Sequence, residues 1–295
     1  MRLLLGVVFL LSVSSSAFAK FLPDNDLWRQ DNVLGFGGAT MTEVEFNQVI
    51  DKVYSATEPS VKLHGGSLDV QRLWNDKTVN AMSSQLGNSW KVMMYGGLAR
   101  RPEITPDGFT IVMCHEMGHH LGGYPYSNPI RGWAASEGQA DYFATQVCAR
   151  KVFAQEKVEN AKSRFDVDAK AKQNCDLAWN NQDDQNLCYR VATASKGLAL
   201  LLGSLTKVTK NPDFGTPDTS VVSSTNRTYA SAQCRLDTYV NGSLCKVEFD
   251  LSVIPGREFL YQNGPKAEAE ALKNSCTKEK MSEGQRPACW YKQRI

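Results

Sequence analysis

One stretch constrains this chain more than any other. Thr105-Pro106 opens a run that carries Cys114-His115-Glu116-Met117-Gly118-His119-His120 and stops at Gly122-Gly123. Threonine suits an N-cap and proline the first helical position, so the spacing predicts a helix from Thr105 to the glycine pair. Positions i and i+4 of a helix differ by only ~40° around its axis, so His115 and His119 leave the same face and can grip one metal ion. Glu116 falls close enough to hydrogen-bond a water at the metal without binding the ion itself.

A catalytic zinc needs a third protein ligand and one open position. The chain has 4 histidines, at 64, 115, 119 and 120, and none follows His120, which excludes a third histidine shortly downstream. A carboxylate must complete the site. Ser136-Glu137-Gly138-Gln139-Ala140-Asp141 lies on a second expected helix, Ala134 to Phe153, where Glu137 and Asp141 share a face. Glu137 is therefore expected as the third ligand of one Zn2+ per chain. Asp141 is expected to accept the other ring N–H of a ligand histidine, fixing its tautomer. His64 and His120 read as ordinary surface or satisfied histidines.

Around this centre, Thr42 and Glu45 form a T-x-x-E capping box ahead of a helix expected to reach about Ala56. Three short β-like runs follow, Ser67 to Trp74, Thr78 to Leu86 and Ser89 to Tyr95, the last two joined through Gly87-Asn88 as a hairpin. Residues 155–172 read as a solvated helix face or loop, Leu187 to Leu205 as a helix, and Pro212 to Ser224 as a connection rich in Pro, Ser and Thr.

The first residues read as an export leader: Arg2, an apolar run from Leu3 to Val13, and the small-x-small site Ala17-Phe18-Ala19, with mature chain from Lys20. No later run is long and apolar enough to span a membrane. The 8 cysteines all lie beyond this leader, and an even count in an exported chain favours disulfides. Spacing suggests Cys175 with Cys188, Cys234 with Cys245 and Cys276 with Cys289. Cys114 and Cys148 are then either the fourth pair or two buried thiols. A net charge of +2, scattered rather than clustered, gives no basic stripe for nucleic acid.

From about Val79 to Tyr142 the chain resembles the M48 family of gluzincin zinc metallopeptidases. The resemblance rests on Asn80-Ala81-Met82, on Gly97-Leu98, on the HEMGHH helix and on Glu137-Gly138-Gln139-Ala140-Asp141 as its E-x-x-A-D segment. It implies a zincin-like core in which the active helix packs on a small twisted sheet. It also implies an edge strand beside the cleft, a role that would fall to Ser89 to Tyr95, where an extended polypeptide substrate could add as a further strand. Many members carry a histidine and, a few residues later, an arginine downstream of the zinc ligands. Here Tyr229 stands in the histidine's place and Arg235 keeps the arginine, so the resemblance implies a transition-state or site-organising role for the two.

The expectation is thus an α+β fold: a leader over 1–19, a zincin-like core over 20–155, and a helical, disulfide-bearing part over 156–295 completing the same domain. The expected function is hydrolysis of peptide bonds in exported proteins, in a periplasmic or secreted location, with Glu116 as general base. A zinc-fold binding or chaperone-like module of the cell envelope that cleaves nothing is the alternative, and a zinc hydrolase of non-protein substrates a further rival.

Overall fold

The computed structural model describes residues 18–28, 41–128, 132–206, 210–259, 264–277, 279 and 281–294. The apolar part of the expected leader lies outside the described residues. The fold is α+β, a small mixed sheet with helices around it.

The capping box forms as read: Glu45 N–H donates to Thr42 Oγ1, and the Glu45 carboxylate accepts from Thr42 N–H. It starts helix α1, Glu43–Leu63, which buries Phe46, Val49, Ile50 and Val53 on one face. The helix outruns the expected end at Ala56 because Thr57, Ser60 and Val61 continue that face, and Pro59 frees only one carbonyl of the preceding turn. It stops at Gly65, whose φ of 73° lets Gly66 N–H return to Val61 O.

Four strands make the sheet: β1 Ala19–Lys20, β2 Ser67–Leu73, β3 Ala81–Leu86 and β4 Ser89–Tyr95, in the order β1-β3-β4-β2. β3 and β4 are the expected hairpin, turning at Gly87 with φ 56°. β2 runs parallel to β4 over its full length, Ser67 opposite Ser89 and Leu73 opposite Tyr95. This corrects the expectation that Ser89 to Tyr95 is an edge strand. β4 is paired on both sides, and the edge nearest the site belongs to β3, of which β1 covers two residues, Ser83 and Met82. The short helix α2, Gly96–Ala99, leads from β4 towards the central helix.

That central helix, α3 Pro106–Leu121, begins with Thr105 accepting from Gly108 N–H and Pro106 at its first position, and ends at Gly122. From Gly108 to Leu121 every residue is buried. A helix buried on every side is expected to be apolar all round, so the polar residues of this one stand out. It packs on the sheet, on α1, on α4 (Glu137–Phe143) and on α8 (Gln182–Thr206). The helix expected over Ala134 to Phe153 starts later, at Glu137, because Ala135 and Ser136 are held in extended conformation by His119 O and Pro125 O. After α4 comes one π-helical turn, Ala144–Cys148, then α5, Ala149–Phe153.

The charged stretch beyond folds as α6, Lys157–Lys162, and the start of α7, Ala169–Ala178. α9, Ala232–Leu244, packs on α8 and α4, and α10, Gly264–Lys273, follows. The main apolar cluster draws on both ends of the chain, from Phe21 and Leu22 to Tyr239 and Ile254.

Four disulfides staple the helices. Cys175–Cys188 ties α7 to α8, as the spacing suggested, and Cys114–Cys148 ties α3 to the π turn, which decides between a fourth pair and two buried thiols. The other two differ from expectation: Cys234 pairs with Cys289, and Cys245 with Cys276. Cys234 and Cys245 sit at opposite ends of α9, roughly 16 Å apart at 1.5 Å per residue, beyond the ~7 Å a disulfide spans. Each end of α9 is instead fastened to the C-terminal segment. The four disulfides are compatible with an exported protein, and among the described residues no helix is long and apolar enough to cross a membrane.

Candidate metal centre

Close approach of α3 and α4 brings the expected ligands together. At Gly118 a Cβ would meet Ala140 O at 2.8 Å, so the glycine inside the His-Glu-x-x-His turn is what lets α4 lie against this face. Across that contact the two Nε2 atoms of His115 and His119 are 3.0 Å apart. Glu137 Oε2 lies 3.4 Å from His115 Nε2, and Oε1 lies 3.6 Å from His119 Nε2. Each of the three residues offers one ligand atom, all within 4.8 Å of one another, and all three residues are buried.

The outer ring nitrogens define the protonation of both imidazoles. His115 Nδ1–H donates to Asp141 Oδ1 at 2.7 Å, and His119 Nδ1–H donates to Ala135 O at 2.8 Å. In neutral rings both Nε2 lone pairs then point into the same small space with the Glu137 carboxylate. Two lone pairs facing each other at 3.0 Å repel unless a cation or proton lies between. Burial opposes charge on His115, but Asp141 and then Glu137 outweigh it and raise its pKa to about 9. Burial and the adjacent His115 drive His119 well below the ordinary imidazole value. The pair thus accommodates one cationic centre, and its donor set of two imidazoles and a carboxylate fits a borderline divalent ion.

Behind His115 stands a clamp. Arg235, on α9, donates from Nε to Asp141 Oδ2 and from Nη2 to Asp141 Oδ1, both at 2.7 Å. Its Nη1 donates to Phe21 O at 2.9 Å, and its Nη2 also to Tyr239 Oη at 3.1 Å. Burial pushes the Asp141 carboxyl up, but Arg235 and His115 together hold it well below the usual carboxylate range. The Phe21 ring meets His115 edge-on, with centroids 5.3 Å apart.

In front of the pair, Glu116 is fully buried, and neither carboxylate oxygen has a hydrogen-bond partner. Burial raises its pKa to about 8, against the opposing pull of His115. The Ser83 hydroxyl, on β3, is buried beside that carboxyl and also pulls its pKa down, and neither group has any other hydrogen-bond partner. A cavity of about 260 Å³ reaches the site at Glu137 and is lined also by Trp133, Tyr229 and the segment Phe18–Lys20.

The remaining candidates separate cleanly. Tyr229 lines that cavity, but its hydroxyl donates to Lys20 O at 2.8 Å and Leu22 O at 3.1 Å and so is committed to the N-terminal segment. His120 is sandwiched between Trp90 and Trp133, with centroids 5.2 and 4.7 Å away, and donates from Nε2 to Lys91 O. Burial lowers its pKa to about 3, so it is a neutral aromatic spacer. His64 lies elsewhere, against Leu251 O. A second group of candidate donors among the described residues, Asp218 with Cys234 and Cys289, has its sulfurs joined in a disulfide and offers no thiolate. Sequence reasoning did not reach Phe21, Ala135 O or Ser83, whose contributions depend on chain tracing rather than on residue type.

Compared with known proteins, the chain matches no family model, no curated protein and no solved structure.

Proposed function

We propose that this protein is a zinc metallopeptidase of the gluzincin type that hydrolyses exported polypeptides. The observation that carries the reading is the convergence of two imidazole Nε2 atoms and the Glu137 carboxylate beside the buried, unpartnered carboxyl of Glu116. His115, His119 and Glu137 would hold the ion. When bound, zinc supplies Lewis acidity, acidifying water and polarising a carbonyl.

The protein's own groups supply the rest. Asp141, charged because Arg235 pairs with it, holds the His115 ring with its proton on Nδ1 and its Nε2 free. Ala135 O does the same for His119. Glu116 takes the proton of the attacking water as the new C–O bond forms, then delivers it to the amine as the C–N bond breaks. An extended polypeptide is the fitting substrate, because β3 borders the same site and beyond Ser83 has no outer partner strand among the described residues, so a strand can add there.

The test is Glu116→Gln. The variant should bind zinc with wild-type stoichiometry and lose cleavage of a casein or peptide-library substrate by about two to four orders of magnitude. Wild-type cleavage should vanish with a chelator and return with zinc. Undiminished turnover in Glu116→Gln overturns the assignment of the base. A wild-type chain that holds zinc and cleaves no peptide is instead the binding or chaperone-like module.

A further inference from the structure

The sheet edge beside the metal centre already has an occupant, and it is the chain's own N-terminal segment. Ala19 pairs with Ser83 and Lys20 with Met82 in antiparallel register, as an added strand would. Phe18, Ala19 and Lys20 also form one wall of the cavity onto which Glu137 opens. Ala19's partner, Ser83, carries the buried, unpartnered hydroxyl on the Glu116 side of the site. Beyond Ser83 the outer edge of β3, Ser84 to Leu86, has no partner strand among the described residues.

Downstream, the segment is anchored firmly. Phe21 and Leu22 are fully buried, Asn80 bonds Leu22 through both N–H and O, and Tyr229 holds Lys20 O and Leu22 O. Upstream the hold is slighter, and Phe18 is 54% exposed. The junction falls at Ala19–Lys20, the bond that follows the small-x-small sequence Ala17-Phe18-Ala19. A peptidase that removes the leader there would cut within β1 itself.

We propose that Phe18 and Ala19 act as a resident strand that fills the β3 edge beside the cleft of the uncleaved chain, and that leader removal between Ala19 and Lys20 frees that edge. Cleavage removes the residue paired with Ser83 and two residues of the cavity wall, and it leaves Lys20, Phe21 and Leu22 in place to support Arg235 and Tyr229. Export and access to that edge are thereby coupled: a chain still carrying its leader has its edge filled by its own backbone. The ligand class of the opened edge is an extended peptide segment ending in small and aromatic residues, the chemistry of the strand that leaves. The inference rests on the zinc-peptidase reading for the identity of the site.

Two zinc-loaded proteins in the same detergent test it: the chain as processed by an exporting host, its first residue read by N-terminal sequencing, and the full chain with cleavage blocked by Ala17→Tyr. The processed chain is expected to begin at Lys20 and to bind a synthetic hexapeptide of residues 14–19 with one-to-one stoichiometry. If the strand closes the edge nine-tenths of the time, apparent affinity for that peptide is lower by about tenfold in the blocked chain. Zinc extraction by EDTA should slow in the same proportion. One arm needs no variant: on the processed chain alone the hexapeptide should slow extraction. A hexapeptide with proline at the Ala19 position, which lacks the N–H a ladder needs, should not. Equal peptide affinity and extraction rate in the two chains, or a processed chain beginning beyond Leu22, overturns the inference. Neither readout requires turnover, so a silent chain that docks the peptide sinks the peptidase reading alone. An active chain indifferent to the leader sinks this inference alone.

Discussion

Asp141, behind His115, meets Arg235 through both of its oxygens and the imidazole through one, whereas Glu116, in front of the same histidine pair, has two buried oxygens and no hydrogen-bond partner. Both carboxyls are shut away from solvent. Their acidities nevertheless diverge: burial raises both, but Arg235 and His115 reverse the effect at Asp141, while Glu116 rises to about 8. The difference teaches that burial sets the stake and a neighbouring cation sets the sign. The rear carboxyl is held by an arginine and a histidine, and the front carboxyl has no paired cation.

Removing the cation is the most direct way to break the contrast. Arg235→Met should strand the Asp141 carboxylate and orphan Phe21 O, costing about 3–5 kcal/mol of folding stability at neutral pH. Urea unfolding of the metal-free protein measures it. Arg235→Lys keeps the charge but not the two-pronged geometry, and should fall between the variant and wild type. A depressed carboxyl contributes stability that is present above its unfolded pKa, near 3.8, and lost as pH falls through the lower folded value. Wild type should therefore keep this contribution until strong acid, and Arg235→Met should lack it throughout. A loss below about 1 kcal/mol, the size expected for a surface pair, would mean that the clamp does not hold the rear of the site.

A smaller effect separates the clamp's hold on the histidine from its hold on the fold. Asp141→Asn retains the shape but exchanges a charged acceptor for a neutral amide at His115 Nδ1–H. Zinc affinity, measured by competition with a chromophoric chelator, should fall about 10–100-fold, or roughly 1.4–2.8 kcal/mol. Unchanged affinity would place the whole burden of ligand orientation on α3 itself.

What was legible in the sequence follows the range of the interaction. Helix starts at Thr42 and Thr105, the turn at Gly87 and the stop at Gly122 are each decided within a few residues, and they form as read. The shared face of His115 and His119 is a property of one helix. Glu137 joins them because Gly118 admits α4, a contact foreshadowed only by the glycine within the motif. Parallel pairing of β2 with β4 was not legible, since a strand's alternation does not name its neighbour, and β4 consequently lost its expected place at the edge. Proximity along the chain also misdirected Cys234 and Cys245, because the helix between them holds them apart. Arg235 and Asp141 are 94 positions apart, and their pairing depends on how α9 crosses α4. Even so, the resemblance had drawn attention to Arg235, whereas the resting partners of Tyr229, 207 and 209 positions away, gave no signal.

A third carboxyl sharpens the rule by supplying donors without a cation. Asp237 lies two residues beyond Arg235 on α9 and accepts from Asp218 N–H at 2.7 Å and Gln233 Nε2 at 2.8 Å. If hydrogen bonds sufficed, it would resemble Asp141. Instead burial dominates those two donors and raises its pKa from 3.8 to about 6. The folded protein then keeps a proton that the unfolded chain loses, so this contribution to stability is fully present below pH 3.8 and lost as pH rises through about 6. Asp237→Asn has no such proton to lose. Its stability relative to wild type should therefore improve between pH 4 and pH 7, by about 1–2 kcal/mol once partial exposure is discounted. Urea unfolding of both proteins at the two pH values gives the difference directly. A gap that stays constant would show that two neutral donors keep a buried carboxylate ionised on this helix, and the acidity of Asp141 would then need no arginine to explain it.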